Sequence, residues 1–331
     1  MRKSGQTDHV MEYALEQVEK SMRKMARNVS KDRLTGAVIK SALAVPGKML
    51  RPQILILSAC LINENEAMAH MEHLIRWAAI IELSHTASLI HDDVIDQSYV
   101  RRGIPTVMKR YDNSSAIYAG DYLLASILRE ILKSHEGDKA LLLVDGIEEM
   151  CAGEINQTHC KDRQNVTIEQ YNKNIAGKTG VLFASACRLG AMEVTGQQDI
   201  IRQYEEFGRK LGRAFQLRDD LLDIMSSQTE AGKMVMQDFQ EGIYTLPVLL
   251  ARDHDTYGSS VKKLMKKNKR GNLTEKDKEC LKEILLKSQA VAKVEEETAR
   301  LLEECKNVVR KSSCQWARDK TEAILDRLKN L

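Results

Sequence analysis

The chain has 331 residues, with 50 lysines and arginines against 47 aspartates and glutamates. Its four prolines, at positions 46, 52, 105 and 247, and its 18 glycines are too few for β sandwiches, barrels or propellers, which need a turn signal every 8–12 residues or so. The composition therefore predicts an all-α protein, and a net charge of +3 argues against nucleic-acid binding by bulk charge.

In chain order, residues 10–45 read as helical, with a break at 44–48 where Pro46 and Gly47 stand. A second helix starts near Arg51-Pro52, since proline is tolerated in a first turn. Residues 68–98 form a long helical stretch without a breaker, ended by Arg101-Arg102-Gly103-Ile104-Pro105. Further helices are predicted over 114–134, 138–160, 167–192, 198–226, 243–255, 275–288 and 290–329. The basic segment 261–270 reads as a solvated surface loop, with contact to anionic lipid head groups as the sharper alternative. No repeat and no Pro/Ser-rich linker divides the chain, so residues 1–331 read as one domain.

No run of about 18 apolar residues is present, so no transmembrane helix is predicted. The stretch Met1-Arg2-Lys3-Ser4-Gly5-Gln6 has no apolar core, so no signal peptide is predicted either. The cysteines, at 60, 151, 160, 187, 280, 305 and 314, are odd in number and form no C-x-x-C pair. Reduced thiols and a cytoplasmic location follow, rather than disulfides or zinc.

The most informative stretch is Leu89-Ile90-His91-Asp92-Asp93-Val94-Ile95-Asp96. On a helix Asp92 and Asp96 share one face, about 6 Å apart along the axis, with Asp93 beside them. Like charges at this spacing destabilise a helix, and burying them unpaired among apolar neighbours costs more. A cation must offset that cost, and all-oxygen ligands point to Mg²⁺ or Mn²⁺. The spacing recurs in Phe215-Gln216-Leu217-Arg218-Asp219-Asp220-Leu221-Leu222-Asp223. One such triplet is best read as an acidic surface; two in one helical chain point to a metal-clamped diphosphate. Gly177-Lys178-Thr179 is not a P-loop, because Asn172 stands where the first glycine belongs and no strand precedes it.

On these motifs the chain resembles the all-trans polyprenyl diphosphate synthases, a family of trans-prenyltransferases, and among them the long-chain members. The resemblance runs from about residue 47 to 251. It rests on both aspartate motifs and on Gly47-Lys48-Met49-Leu50-Arg51-Pro52, Arg101-Arg102-Gly103, Gly120-Asp121-Tyr122-Leu123-Leu124-Ala125, Gly177-Lys178-Thr179-Gly180 and Thr245-Leu246-Pro247. It implies a single helical bundle of the isoprenoid synthase type with a central apolar cavity. It implies Mg²⁺ on Asp92, Asp96, Asp219 and Asp223, and a catalytic group of Asp92, Asp93, Asp96, Lys178 and Asp219. Isopentenyl diphosphate would be bound by Lys48, Arg51, His85 and Arg102, and the allylic diphosphate flanked by Arg101, Lys178, Thr179, Gln216 and Lys233.

In this family the growing chain runs along the same face of this helix, so by resemblance the small residues Ser84, Ala87 and Ser88, one and two turns before Asp92, leave its path open, with Ile80 and Ile81 as a floor further down. The implied product is hexaprenyl or heptaprenyl diphosphate, against a farnesyl or geranylgeranyl alternative. One departure is Gly242-Ile243-Tyr244-Thr245, where a lysine commonly precedes the threonine. A class I terpene cyclase fits less well, because its second metal motif is normally built from Asn, Ser/Thr and Glu. A non-catalytic partner subunit would have lost one aspartate motif. The family implies a homodimer, or a heterodimer with a small regulatory subunit.

Overall fold

The computed structural model describes residues 4–27, 31–44, 47–225 and 236–329. Among them, regular structure is helical apart from one small hairpin. The chain groups into two compact units, Met1–Ile147 with Leu182–Glu205 and Ser312–Thr321, and Glu148–Val181 with Glu206–Lys311 and Glu322–Leu331.

In order, the helices are α1 Ser4–Arg27, α2 Arg33–Ala42, α3 Leu50–Ile62, α4 Glu64–Ala69, α5 Met71–Ile95, α6 Val107–Arg110, α7 Asn113–Ser134 and α8 Gly137–Cys160. Then come α9 Ile168–Ile175, a π-helical turn Ala176–Gly180, α10 Val181–Val194, α11 Gln198–Met225 and α12 Gln237–Gln240. The last are α13 Leu246–Arg252, α14 Gly258–Lys269, α15 Glu275–Lys287, α16 Ala290–Val309 and α17 Gln315–Lys329. The hairpin pairs β1 Val100–Arg101 with β2 Ile104–Pro105.

In the first unit α5 is the central helix and packs against α1, α3 and α7. It buries Leu74, Trp77, Ala78, Ala79, Ile80 and Ile81 in succession. A helix apolar on all sides must be surrounded to be stable. The same holds for α3, buried from Ile54 to Leu61. In the second unit α13 packs against α9, α14 and α16.

Several boundaries differ from expectation for local reasons. The predicted helix 10–45 is two helices, the second capped by Asp32, whose carboxylate accepts from the Thr35 N–H at 2.7 Å. The stretch from 68 is broken at His70, between α4 and α5. The stretch 290–329 is likewise two helices, α16 and α17.

Segment 261–270 is not a loop. It lies mostly in α14, because Val261, Leu264 and Met265 recur at i, i+3 and i+4 and are buried. The hairpin was not anticipated. Its two-residue turn has φ of 51° at Arg102 and 76° at Gly103, the left-handed pair that matches strand twist in tight hairpins. None of the seven cysteines is in a disulfide. Among the described residues no helix is long and apolar enough to cross a membrane.

Candidate active site

The first aspartate motif closes α5. The Asp96 N–H donates to the Asp92 carbonyl at 2.8 Å, so helical geometry continues through the motif and the two side chains share a face. Asp92 is half-buried and Asp96 exposed. Asp93 is turned aside and buried, and its carboxylate accepts from Arg101 Nε at 2.8 Å. Burial pushes the Asp93 carboxyl up from its ordinary value, against the pull of Arg101. The hairpin supplies that arginine, which explains why Arg101-Arg102-Gly103 follows the motif so closely. Gly120 of α7 leaves room beside it for the His91 ring, which a Cβ there would displace, lying 2.2 Å from His91 Nε2.

Beneath the motif lies a cavity of about 70 Å³ lined by Gly47, Glu82, His85, Asp93, Arg101 and Arg102, among others. It brings together three residues expected to bind diphosphate: His85, Arg101 and Arg102. Arg51 is buried, with its guanidinium 4.8 Å from the centre of the Phe183 ring, and Lys48 is exposed. Neither lines this cavity among the described residues.

Burial holds the His85 pKa well below its ordinary value, with the charges of Arg51, Arg102 and Arg101 acting in the same direction. Without a ligand His85 therefore favours its neutral form, and its ring can meet a diphosphate as a hydrogen-bond donor. Sequence reasoning missed Glu82. It lies on α5 one turn before His85, is 5% exposed and has its carboxyl pushed up by burial. Its signal was a lone acid within an apolar run.

The chain-length residues lie further back on α5. Ser84 and Ala87 are fully buried, and Ser88 is half-buried. Both hydroxyls donate to the helix itself, Ser84 to the Ile80 carbonyl and Ser88 to that of His85, each at 2.9 Å. Ile80 and Ile81 are fully buried.

The second motif, in α11, has the same division of labour. Asp219 is exposed and Asp223 half-buried, while Asp220 is buried. Asp220 accepts from the Tyr171 hydroxyl and from Gln216 Nε2, the latter at 2.9 Å. Gln216 in turn accepts from the Thr179 hydroxyl at 2.7 Å. Two residues expected at the allylic diphosphate thus belong to one chain of hydrogen bonds, anchored on Tyr171 and Asp220. Burial pushes the Asp220 carboxyl up to about 7.

Lys178 and Thr179 sit on the π-helical turn, an element that often marks functional sites. The turn rests on Gly153 of α8, where a Cβ would lie 2.5 Å from the Lys178 nitrogen. Lys178 Nζ pairs with Glu154 at 3.2 Å. Asp223 accepts from the backbone N–H groups of Gln237 at 2.9 Å and Asp238 at 3.2 Å, and so caps α12. Asp238 has its carboxyl pushed up by burial and by the charges of Asp220, Asp223 and Glu241. Lys233 lies outside the described residues.

The donor set fits a hard divalent cation. The first motif presents the carboxylates of Asp92 and Asp96 and the second that of Asp219, the kind of ligand Mg²⁺ takes alongside water and substrate phosphates, while both oxygens of Asp223 already accept from the α12 backbone and keep only their remaining lone pairs for an ion. In each motif the second aspartate is instead committed to a protein partner.

A family model described as polyprenyl synthetase matches residues 32–284. The chain is 36% identical over 209 residues to heptaprenyl diphosphate synthase component 2 of Geobacillus stearothermophilus, covering 63% of this chain and 64% of that protein. It is also 36% identical over 210 residues to geranylgeranyl diphosphate synthase of Saccharolobus solfataricus, covering 61% and 62%. These matches span less than two thirds of either relative. Among solved structures, polyprenyl synthase from Caulobacter crescentus CB15, complexed with calcium and isoprenyl diphosphate, superposes with a TM-score of 0.86. That match is 26% identical and covers 100% of this chain and 99% of the other.

Proposed function

The chain belongs to the polyprenyl synthetase family, and on that premise we propose that it is a trans-prenyltransferase that joins isopentenyl diphosphate to an allylic diphosphate. The observation that carries this reading is the repeated aspartate set. In both motifs the second aspartate is buried against a partner side chain, and the first and fifth lie at or near the surface.

Asp92, Asp96, Asp219 and Asp223 are assigned to Mg²⁺, which when bound neutralises charge on the departing diphosphate. Lys178 adds a cation for the same charge, and Thr179 and Gln216 are held in place by Asp220. Arg101, steadied by Asp93, and Arg102 offer guanidinium forks to phosphate oxygens. His85 donates a single ring N–H hydrogen bond to a phosphate oxygen. Lys48 and Arg51 complete the isopentenyl diphosphate group, and Lys233 the allylic one. The proton lost after carbon–carbon bond formation passes to the released diphosphate, so no protein base is needed.

The small side chains of Ser84, Ala87 and Ser88 support a long product, hexaprenyl or heptaprenyl diphosphate. The boundary between the two units falls within α8, α11 and α17, which favours one domain over two. A cytoplasmic homodimer is the reading for the assembly. It is supported by Ile117, Leu128 and Leu132, large apolar residues exposed along one face of α7.

The test is turnover of labelled isopentenyl diphosphate with farnesyl diphosphate and Mg²⁺, with chromatography of the products. We expect a ladder ending near six or seven units, and loss of turnover by at least about a hundredfold in Asp92→Ala and Asp219→Ala. Near-normal turnover in either variant would sink the assignment. Incorporation that begins only when a second subunit is added would replace the homodimer with a heterodimer.

A further inference from the structure

A second cluster of ligand-type side chains lies in the first unit, apart from the aspartate motifs. His70 stands between α4 and α5, His73 in the first turn of α5, and Glu193 near the end of α10. Their ligand atoms lie within 4.8 Å of one another. His70 Nδ1 is 3.1 Å and His73 Nδ1 3.2 Å from the same carboxylate oxygen of Glu193. The Glu193 side chain is 3% exposed, while His70 and His73 are 43% and 57% exposed. One buried carboxylate oxygen therefore meets two imidazoles at the surface.

From this geometry we infer that His70, His73 and Glu193 form a site for a divalent transition metal of the zinc class. Around Zn²⁺, with metal–ligand distances of 2.0–2.2 Å, tetrahedral donors stand about 3.3 Å apart. The two histidine–Glu193 separations, 3.1 and 3.2 Å, are close to that. The surroundings also have the form that orients metal ligands. His70 Nε2 is 3.6 Å from Glu66, which leaves Nδ1 to face the ion, and the second oxygen of Glu193 is held by Lys139. Two imidazoles select zinc, copper or nickel over Mg²⁺, which prefers oxygen. The ion would tie the α4–α5 junction to the end of α10, a structural role separate from prenyl transfer.

The test uses the full chain, stripped with chelator and kept in excess Mg²⁺ to occupy the carboxylate sites. Titration with Zn²⁺ should give one tight equivalent per chain, and Co²⁺ should give the visible absorption of a low-coordinate site. His73→Asn and His70→Asn are surface changes that leave the fold intact. Each should weaken Zn²⁺ binding at least about tenfold. The rise in melting temperature that Zn²⁺ gives the parent chain should disappear in both, with Mg²⁺-dependent turnover unchanged. No Zn²⁺ binding by the parent chain, or binding that survives both substitutions, as it would on exposed Cys151 and Cys280, would overturn the inference.

Discussion

Gly47 is small for a reason set by its neighbours. A Cβ there would stand 2.9 Å from Arg102 Nη1 and 3.1 Å from Glu82 Oε1. Both atoms end long side chains, so Gly47→Ala moves the Arg102 guanidinium instead of breaking the backbone. A hydrogen bond to a charged group contributes about 1.5–3 kcal/mol, which is roughly tenfold or more in affinity. Gly47→Ala should therefore raise KM for isopentenyl diphosphate at least about tenfold, with little change in kcat or melting temperature. Steady-state kinetics with each substrate varied in turn check this. A larger effect on the allylic substrate would place Arg102 elsewhere. Glu82 is the counterweight in this cluster: its buried carboxylate lies among the arginines whose charge a diphosphate would otherwise have to neutralise alone.

At the scale of elements, the contact between α8 and the π-helical turn is the least forgiving. The nearest atoms to a Cβ on Gly153 are the backbone nitrogen of Lys178 at 2.5 Å and the carbonyl carbon of Gly177 at 2.9 Å. Backbone cannot swing aside as an arginine tip does. Gly153→Ala should lower stability by about 1–3 kcal/mol, the usual cost of overpacking. It should also lower kcat at least about tenfold, because Lys178 and Thr179 ride on the displaced turn. Denaturant unfolding and turnover measured together check this, and unchanged kcat would remove the turn from the mechanism.

The legibility of these elements in the sequence follows the same physics. Long helices such as α5, α7 and α11 are visible because apolar periodicity over many residues is a strong signal. The paired aspartates are visible because charge inside such a run is costly. The break at His70 leaves the apolar pattern running on either side, so periodicity passes over it. α14 is hidden because its three buried apolar side chains, Val261, Leu264 and Met265, are outnumbered by lysines. The hairpin pairs only two residues on each side, below any pattern length. Glu82 beside Arg102, and Tyr171 on Asp220, are contacts between distant stretches of chain that no local spacing reports.

At the scale of the whole molecule, the net charge of +3 conceals an uneven distribution. Six of the 50 basic residues, Lys262, Lys263, Lys266, Lys267, Lys269 and Arg270, lie within 258–270, which holds no acid. The remaining 44 stand against 47 acidic residues, so the excess of positive charge belongs to this one segment. The apolar side of α14 is used up in packing and its lysines are exposed. Lys267 is drawn to Asp277 at 2.7 Å, and the others face solvent. A cationic helix face of this kind suits an anionic bilayer. Each basic residue near such a surface contributes about 1 kcal/mol. Replacing Lys262 and Lys266 together by glutamine should weaken binding to phosphatidylserine-rich vesicles about thirtyfold, with turnover of soluble substrates unchanged. Raising the ionic strength should weaken the parent chain's binding as well, since exposed charges are screened. Cosedimentation measures both. Equal binding to neutral vesicles, or no loss in the double variant, would assign the charge on α14 to solubility alone.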